Sequence, residues 1–240
     1  MRKSVLAVSF AAFFLLPFAQ SAAQKPKTPL ATACIQFSEK FWDFGYVPRD
    51  MKVSHIFQIK NSGTDTLIIT RVRSDCGCIH SPLSNSRIAP DQASELEVIF
   101  NPQRFRGEIT KAISVTCNDT TTPVSDIAFT AQVGMENPMV ELEPGGVSFD
   151  TLDPSEDLTK RVEVRNTSGR KLSISIAQAP RNFIDYRIEK LEISPEETTA
   201  IYFTTNPPLP AGAFRTSLTL DFAGSEKSRC TIPIHGVVSR

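Results

Sequence analysis

Apolar and polar residues alternate along most of the chain with a period of two. Val53, His55, Phe57 and Ile59 interleave with Ser54, Gln58 and Lys60, with Ile56 as an exception. The alternation recurs in Leu96/Val98/Phe100, Ile113/Val115/Cys117 and Ile127/Phe129/Ala131/Val133. It returns in Val162/Val164, Leu172/Ile174/Ile176, Ile201/Phe203, Leu218/Leu220/Phe222 and Cys230/Ile232/Ile234. Successive side chains of an extended strand point to opposite faces, so this period predicts strands with one face in a core. Turn formers separate the runs: Asn61-Ser62-Gly63, Ala89-Pro90-Asp91, Asn101-Pro102, Arg106-Gly107 and Thr167-Ser168-Gly169. No useful window carries a helical period. The pattern predicts an all-β protein.

A shift of 105 positions brings the chain into register with itself. Phe44 falls on Phe149, Asn61 on Asn166, Leu67 on Leu172, Ile88 on Ile193 and Pro90 on Pro195. Asn101-Pro102 falls on Asn206-Pro207 and Gly107 on Gly212. Each copy has about 100 residues, an ordinary size for a small β-sandwich. The expected architecture is two tandem Ig-like β-sandwich domains, residues 35–134 and 139–240, joined by a linker at 135–138.

The first 34 residues break the pattern. Arg2 and Lys3 precede an apolar run from Val5 to Phe18, and small residues follow, with Ser21 and Ala23 at the recognition positions. This reads as a secretory signal peptide, residues 1–23, cleaved after Ala23. The run is shorter than the roughly 20 residues that span a bilayer, so a retained anchor is disfavoured. Residues 24–34 read as a polar, Pro-containing tether. Cys34 lies too far beyond the apolar run to fit a lipid-attachment site. Removing the signal turns 26 basic and 26 acidic residues into 24 and 26, a net charge of −2. That balance argues against nucleic acid or an anionic membrane as partner, and no second long apolar segment predicts a transmembrane helix in the mature chain.

An ordered set of short motifs runs through the first copy. Trp42-Asp43-Phe44-Gly45-Tyr46-Val47 is followed by Asn61-Ser62-Gly63, Ser74-Asp75-Cys76-Gly77-Cys78, Ile88-Ala89-Pro90, Asn101-Pro102 and Arg106-Gly107. Together they resemble the bacterial domain-of-unknown-function family 1573 (DUF1573), whose Ig-like domains are similar to hydin-type and major-sperm-protein-type domains. The resemblance covers roughly residues 35–134. Asp91 departs from it, standing where the family commonly has Gly. The second copy keeps the scaffold landmarks but lacks Cys-Gly-Cys, so it reads as a divergent Ig-like domain. The resemblance implies a β-sandwich exported to the bacterial periplasm or cell envelope, and no known reaction.

The five cysteines divide by position. Cys117 and Cys230 lie in phase with apolar neighbours and are expected in the core. Cys34 belongs to the tether or the first strand. An odd number leaves at least one unpaired or joined to another molecule. Cys76-Gly77-Cys78 supports three readings: a vicinal dithiol or disulfide, a thiolate–imidazole site with His80 for zinc or copper, or plain packing in a turn or structural links to cysteines elsewhere. In extended backbone the bridge would approach the ~6.8 Å limit on Cα separation.

Other side chains point less clearly. Phe41, Trp42 and Tyr46 could form a glycan-binding surface but read more naturally as core. His55 reads as a satisfied core or edge histidine, His235 lacks companion ligands, and Arg71 and Arg73 read as a solvated strand face. No nucleophile elbow, H-E-x-x-H segment, Walker loop or G-x-G-x-x-G occurs. The expectation is a non-enzymatic envelope protein that binds a protein partner or acts as a scaffold through sheet edges or loops. The alternative is a thiol-redox or metal-handling protein using Cys76 and Cys78.

Overall fold

The computed structural model describes residues 31–135, 138–224 and 227–239. The expected signal peptide, the tether up to Leu30 and linker residues Glu136 and Asn137 lie outside the described residues. Among the described residues there are eighteen strands and no helix.

The first nine strands are β1 (Ile35–Phe37), β2 (Phe41–Val47), β3 (Val53–Asn61), β4 (Leu67–Ser74), β5 (Ile79–His80), β6 (Arg87–Ile88), β7 (Ala93–Phe100), β8 (Gly107–Cys117) and β9 (Val124–Val133). The next nine are β10 (Val140–Glu143), β11 (Val147–Leu152), β12 (Thr159–Asn166), β13 (Leu172–Gln178), β14 (Ile184–Ile188), β15 (Glu192–Ile193), β16 (Thr198–Thr205), β17 (Gly212–Ala223) and β18 (Lys227–Val238). Two four-stranded sheets have the orders β1-β3-β7-β5 and β10-β12-β16-β14. The other strands form one sheet in the order β15-β13-β17-β18-β2-β9-β8-β4-β6, with β11 also on β18. Each four-stranded sheet packs against its own half of the long sheet.

Two hydrophobic cores result. Phe44, Phe57, Leu96, Phe100, Ile113 and Phe129 are wholly buried in the first. Val162, Val164, Phe203, Leu218, Leu220 and Phe222 fill the second. These are the in-phase residues of the period-2 runs, because alternate side chains of a strand share a face. Cys117 belongs to the first core and Cys230 to the second.

The two halves meet where β2 and β18 run parallel, with Tyr46 opposite Cys230. Gly45 makes the close approach possible. It has φ +63°, and a Cβ there would lie 2.2 Å from the carbonyl oxygen of Arg229. The joint also alters burial on β3. Ser54 belongs to the polar phase, yet it is only 4% exposed. Its backbone N–H donates to Ser217 Oγ of β17 at 3.0 Å, and Gln178 Nε2 donates to its carbonyl at 3.2 Å. The outer face of β3 is therefore covered locally by the second half. Asp91 has φ +60°, in the left-handed region where Gly is most at ease and Asp is tolerated. The departure at this turn thus keeps its backbone.

Candidate functional site

β4 ends at Ser74, and the chain bends through residues 75–78 before β5 begins. Cys76 and Cys78 are joined as a disulfide across Gly77, with their Cα atoms 5.2 Å apart. The bend brings the separation into the usual disulfide range, shorter than the extended value expected from the sequence. Backbone and side-chain bonds hold the turn as well. Cys76 O accepts from Ser74 Oγ at 3.0 Å and from the Ile79 N–H at 3.5 Å, while Cys78 O accepts from the Asn101 N–H at 2.9 Å.

Both cysteines are half-buried against the first core, whereas Gly77 is exposed, with no atom beyond its two chain neighbours within 4 Å of where a Cβ would stand. Closing a three-residue loop restricts the unfolded chain little, about 1.6 kcal/mol on the chain-entropy model against about 3 for fifteen residues. The bond is a weak staple at a turn that hydrogen bonds already define.

His80 is exposed on β5, opposite Ile99 in β7, while its neighbour Ile79 turns into the core. Among the described residues no three His, Cys, Asp or Glu side chains converge as ligands. Cys76, Cys78 and His80 are thus not assembled as a zinc or copper site. The sulfurs are engaged with one another, and strand alternation directs Ile79, not His80, inward.

The same region presents an open strand edge. β6 pairs with Leu67 and Ile68 of β4, and the Ile69 N–H donates to Ser86 O at 2.8 Å. From Thr70 to Ser74 the described residues place no further strand on that side. Arg71 and Arg73 are exposed there, and Val72 packs on the first core. The open edge runs directly into the disulfide turn.

A second arrangement, at the joint between the halves, gathers side chains that the sequence scatters. His55 stacks on Trp42 with ring centroids 3.8 Å apart, and the Arg229 guanidinium lies 5.0 Å from the Trp42 ring centroid. His55 Nδ1 meets Gln178 Oε1, and Nε2 lies 3.0 Å from Glu39 Oε1. Burial pulls the His55 imidazole below its usual range, opposed by its contacts with Gln178 and Glu39. Arg229 donates to Asp43 O at 3.0 Å and pairs with Asp221 through Nε at 2.6 Å.

Trp42 is 8% exposed and Phe41 53%, so the aromatic strand contributes to the core through Trp42 and Phe44 and leaves Phe41 outside. His55 was legible as a buried histidine. Gln178 was not, since nothing local marks it and it acts on residues more than 120 positions away.

Beside this joint an open cleft of about 840 Å³ is lined by Tyr46, Gln132, Glu141, Arg170 and Arg229, among others. Its charges are of both signs. Cys34 is exposed at the start of β1, and burial raises the thiols of Cys117 and Cys230 above their usual range. His235 is lowered by burial and by Arg215.

No curated protein matches the sequence. Among solved structures, a protein of unknown function from Porphyromonas gingivalis W83 is 12% identical over 85% of this chain and 99% of its own, with a TM-score of 0.37. PapD-like domain 7 of human CEP192 is 14% identical over 45% of this chain and 92% of its own, with a TM-score of 0.35. The periplasmic chaperone SfaE is 13% identical over 86% of this chain and 100% of its own, with a TM-score of 0.31. Residues 35–133 match the model of the family described as protein of unknown function, DUF1573.

Proposed function

We propose that this is an exported protein of the bacterial periplasm or cell envelope, built of two tandem Ig-like domains, that binds an envelope protein partner. The observation that carries the reading is the open edge of β4, residues 70–74, beside an exposed turn. Unpaired backbone groups on a sheet edge can accept a strand from another chain, so affinity comes from the ladder and selectivity from flanking side chains. Arg71 and Arg73 favour a partner segment with acidic residues. The action is binding, with export directed by residues 1–23. No helix among the described residues is long and apolar enough to cross a membrane.

The test is a native pull-down from envelope extract with the mature chain and with an Arg71→Glu, Arg73→Glu variant. Both positions are exposed, so the variant is expected to fold. A protein retained by the wild type and lost from the variant supports the reading. A mature chain that retains nothing overturns it, as does an N-terminus found uncleaved on the protein recovered from cells.

A further inference from the structure

We propose that the Cys76–Cys78 turn is a thiol–disulfide exchange site that accepts an electron pair from cysteine thiols of an extended peptide segment. The substrate is a dithiol. One thiolate of the substrate attacks a sulfur of the turn, the Cys76–Cys78 bond breaks, and the departing sulfur leaves as a thiolate and takes up a proton. The second substrate thiol attacks the mixed disulfide and displaces the turn's other sulfur. The substrate leaves as a disulfide, oxidised by two electrons, and Cys76 and Cys78 end as thiols carrying the two protons released.

Access is the first support. Gly77 is exposed, and apart from its two chain neighbours no atom lies within 4 Å of where its side chain would stand, so the turn is open to solvent on the Gly77 side. The turn also does not need its bond to keep its shape. Cys76 O is held by Ser74 and Ile79, and Cys78 O by Asn101, all through contacts that survive reduction. Opening the bond releases a three-residue loop and disturbs little else.

The route to the site is the second support. The open edge of β4 ends at Ser74, two residues before Cys76. A segment added to that edge passes beside the turn and brings its own side chains to the sulfurs.

The remaining cysteines do not compete. Cys117 and Cys230 are buried in the two cores. Cys34 precedes β1, which pairs with the Asn61 end of β3, whereas the disulfide turn is anchored at Asn101 next to the Val53 end. The nine residues of β3 separate them, so Cys34 cannot resolve a mixed disulfide within the same chain. Exchange at the turn is confined to Cys76 and Cys78.

The experiment uses the mature chain with Cys34→Ser, which removes the exposed thiol far from the turn. The folded protein is held in millimolar reduced glutathione near neutral pH, quenched with acid, alkylated and weighed intact. In parallel it is mixed with a synthetic peptide dithiol of extended sequence. The expected result is two alkyl labels, at Cys76 and Cys78, with the circular dichroism of the folded chain unchanged, and one peptide disulfide formed per chain. A Cys76→Ser or Cys78→Ser variant, which has no Cys76–Cys78 bond to break, is expected to form no peptide disulfide. Structural disulfides resist the glutathione pool. A pair that stays unlabelled while the same chain in denaturant is fully labelled therefore overturns the proposal. Labelling without formation of a peptide disulfide overturns it equally. The glutathione arm does not use the β4 edge, so its outcome is independent of partner binding.

Discussion

Asn61 and Asn166, 105 positions apart, hold matching sets of hydrogen bonds in the two halves. Asn61 Nδ2 donates to Asp65 O at 2.7 Å and Ile88 O at 2.9 Å, and its Oδ1 accepts from the Gly63 N–H at 3.0 Å. Asn166 Nδ2 donates to Arg170 O at 2.5 Å and Ile193 O at 3.0 Å, and its Oδ1 accepts from the Ser168 N–H at 3.0 Å. Both side chains are wholly buried. Each closes the turn after a strand and ties it to a short strand further along. A residue with donors and an acceptor on one short side chain is needed, which explains why Asn stands at both places.

Replacing either asparagine should therefore cost more than a surface substitution. Asn61→Ala leaves Ile88 O without its side-chain donor and frees the Gly63 turn. The expected loss is about 2–4 kcal/mol, from several buried bonds worth about 1 each plus the cost of stranded groups. Asn61→Asp should not rescue it, because a carboxylate cannot donate to the two carbonyls. Urea denaturation monitored by circular dichroism measures both, and equal stability of the Asp variant and wild type would refute the role.

Gly45 and Gly107 separate two uses of glycine. Both have positive φ, but a Cβ at Gly45 would strike the Arg229 backbone, while one at Gly107 meets open space. Gly45→Ala should cost about 2–6 kcal/mol, combining backbone strain with a clash across the joint. Gly107→Ala should cost only the strain, about 1–3 kcal/mol. Thermal melts of the two variants test the ordering, and a more harmful Gly107 variant would contradict it.

Gln178 is expected to couple the halves. Its Nε2 donates to Ser54 O at 3.2 Å and to Ser217 O at 3.1 Å, and its Oε1 meets His55. Gln178→Ala should lower stability by about 2–4 kcal/mol. Scanning calorimetry should show one transition for the wild type and two for the variant, as each core melts alone. A single unshifted transition in the variant would mean that the joint is held elsewhere.

Asp119 predicts the acid limb of stability. Burial alone would raise its carboxyl, but the N–H groups of Ile35, Thr122 and Thr121 more than offset this and hold it below the usual range. A carboxylate with a depressed folded pKa contributes stability that is present above its unfolded value, near 3.9, and lost as pH falls through the folded value. Asp119→Asn should cost about 1.5–3 kcal/mol at pH 6. The difference from wild type should shrink at strongly acid pH, once the pH has fallen through the depressed folded value and both side chains are neutral. Chemical denaturation at the two pH values checks this. A gap that is constant with pH would assign the effect to shape instead of charge.

Much of the strand content was legible because alternation is a property of each segment alone. Val162 and Val164, or Leu218, Leu220 and Phe222, face inward in any sandwich that pairs their strands. The disulfide turn was legible as an exceptional tripeptide, though its Cα separation was not, because the bend depends on how Ser74, Ile79 and Asn101 hold the carbonyls. Ser54 was misleading for a related reason. Its phase marks a solvent face, and that holds only until another part of the chain covers it.

By itself the sequence determined the all-β character, the positions of the core residues and the isolation of Cys76-Gly77-Cys78 from the other cysteines. These follow from local periodicity and turn chemistry, which act over a few residues. The tertiary structure decided how β2 meets β18, why Gly45 has no side chain, which edge of β4 stays open, and that Gln178 serves His55. Those outcomes depend on surfaces brought together from distant positions, where a buried polar group must find its partner or lose its hydration. No period along the chain encodes that pairing.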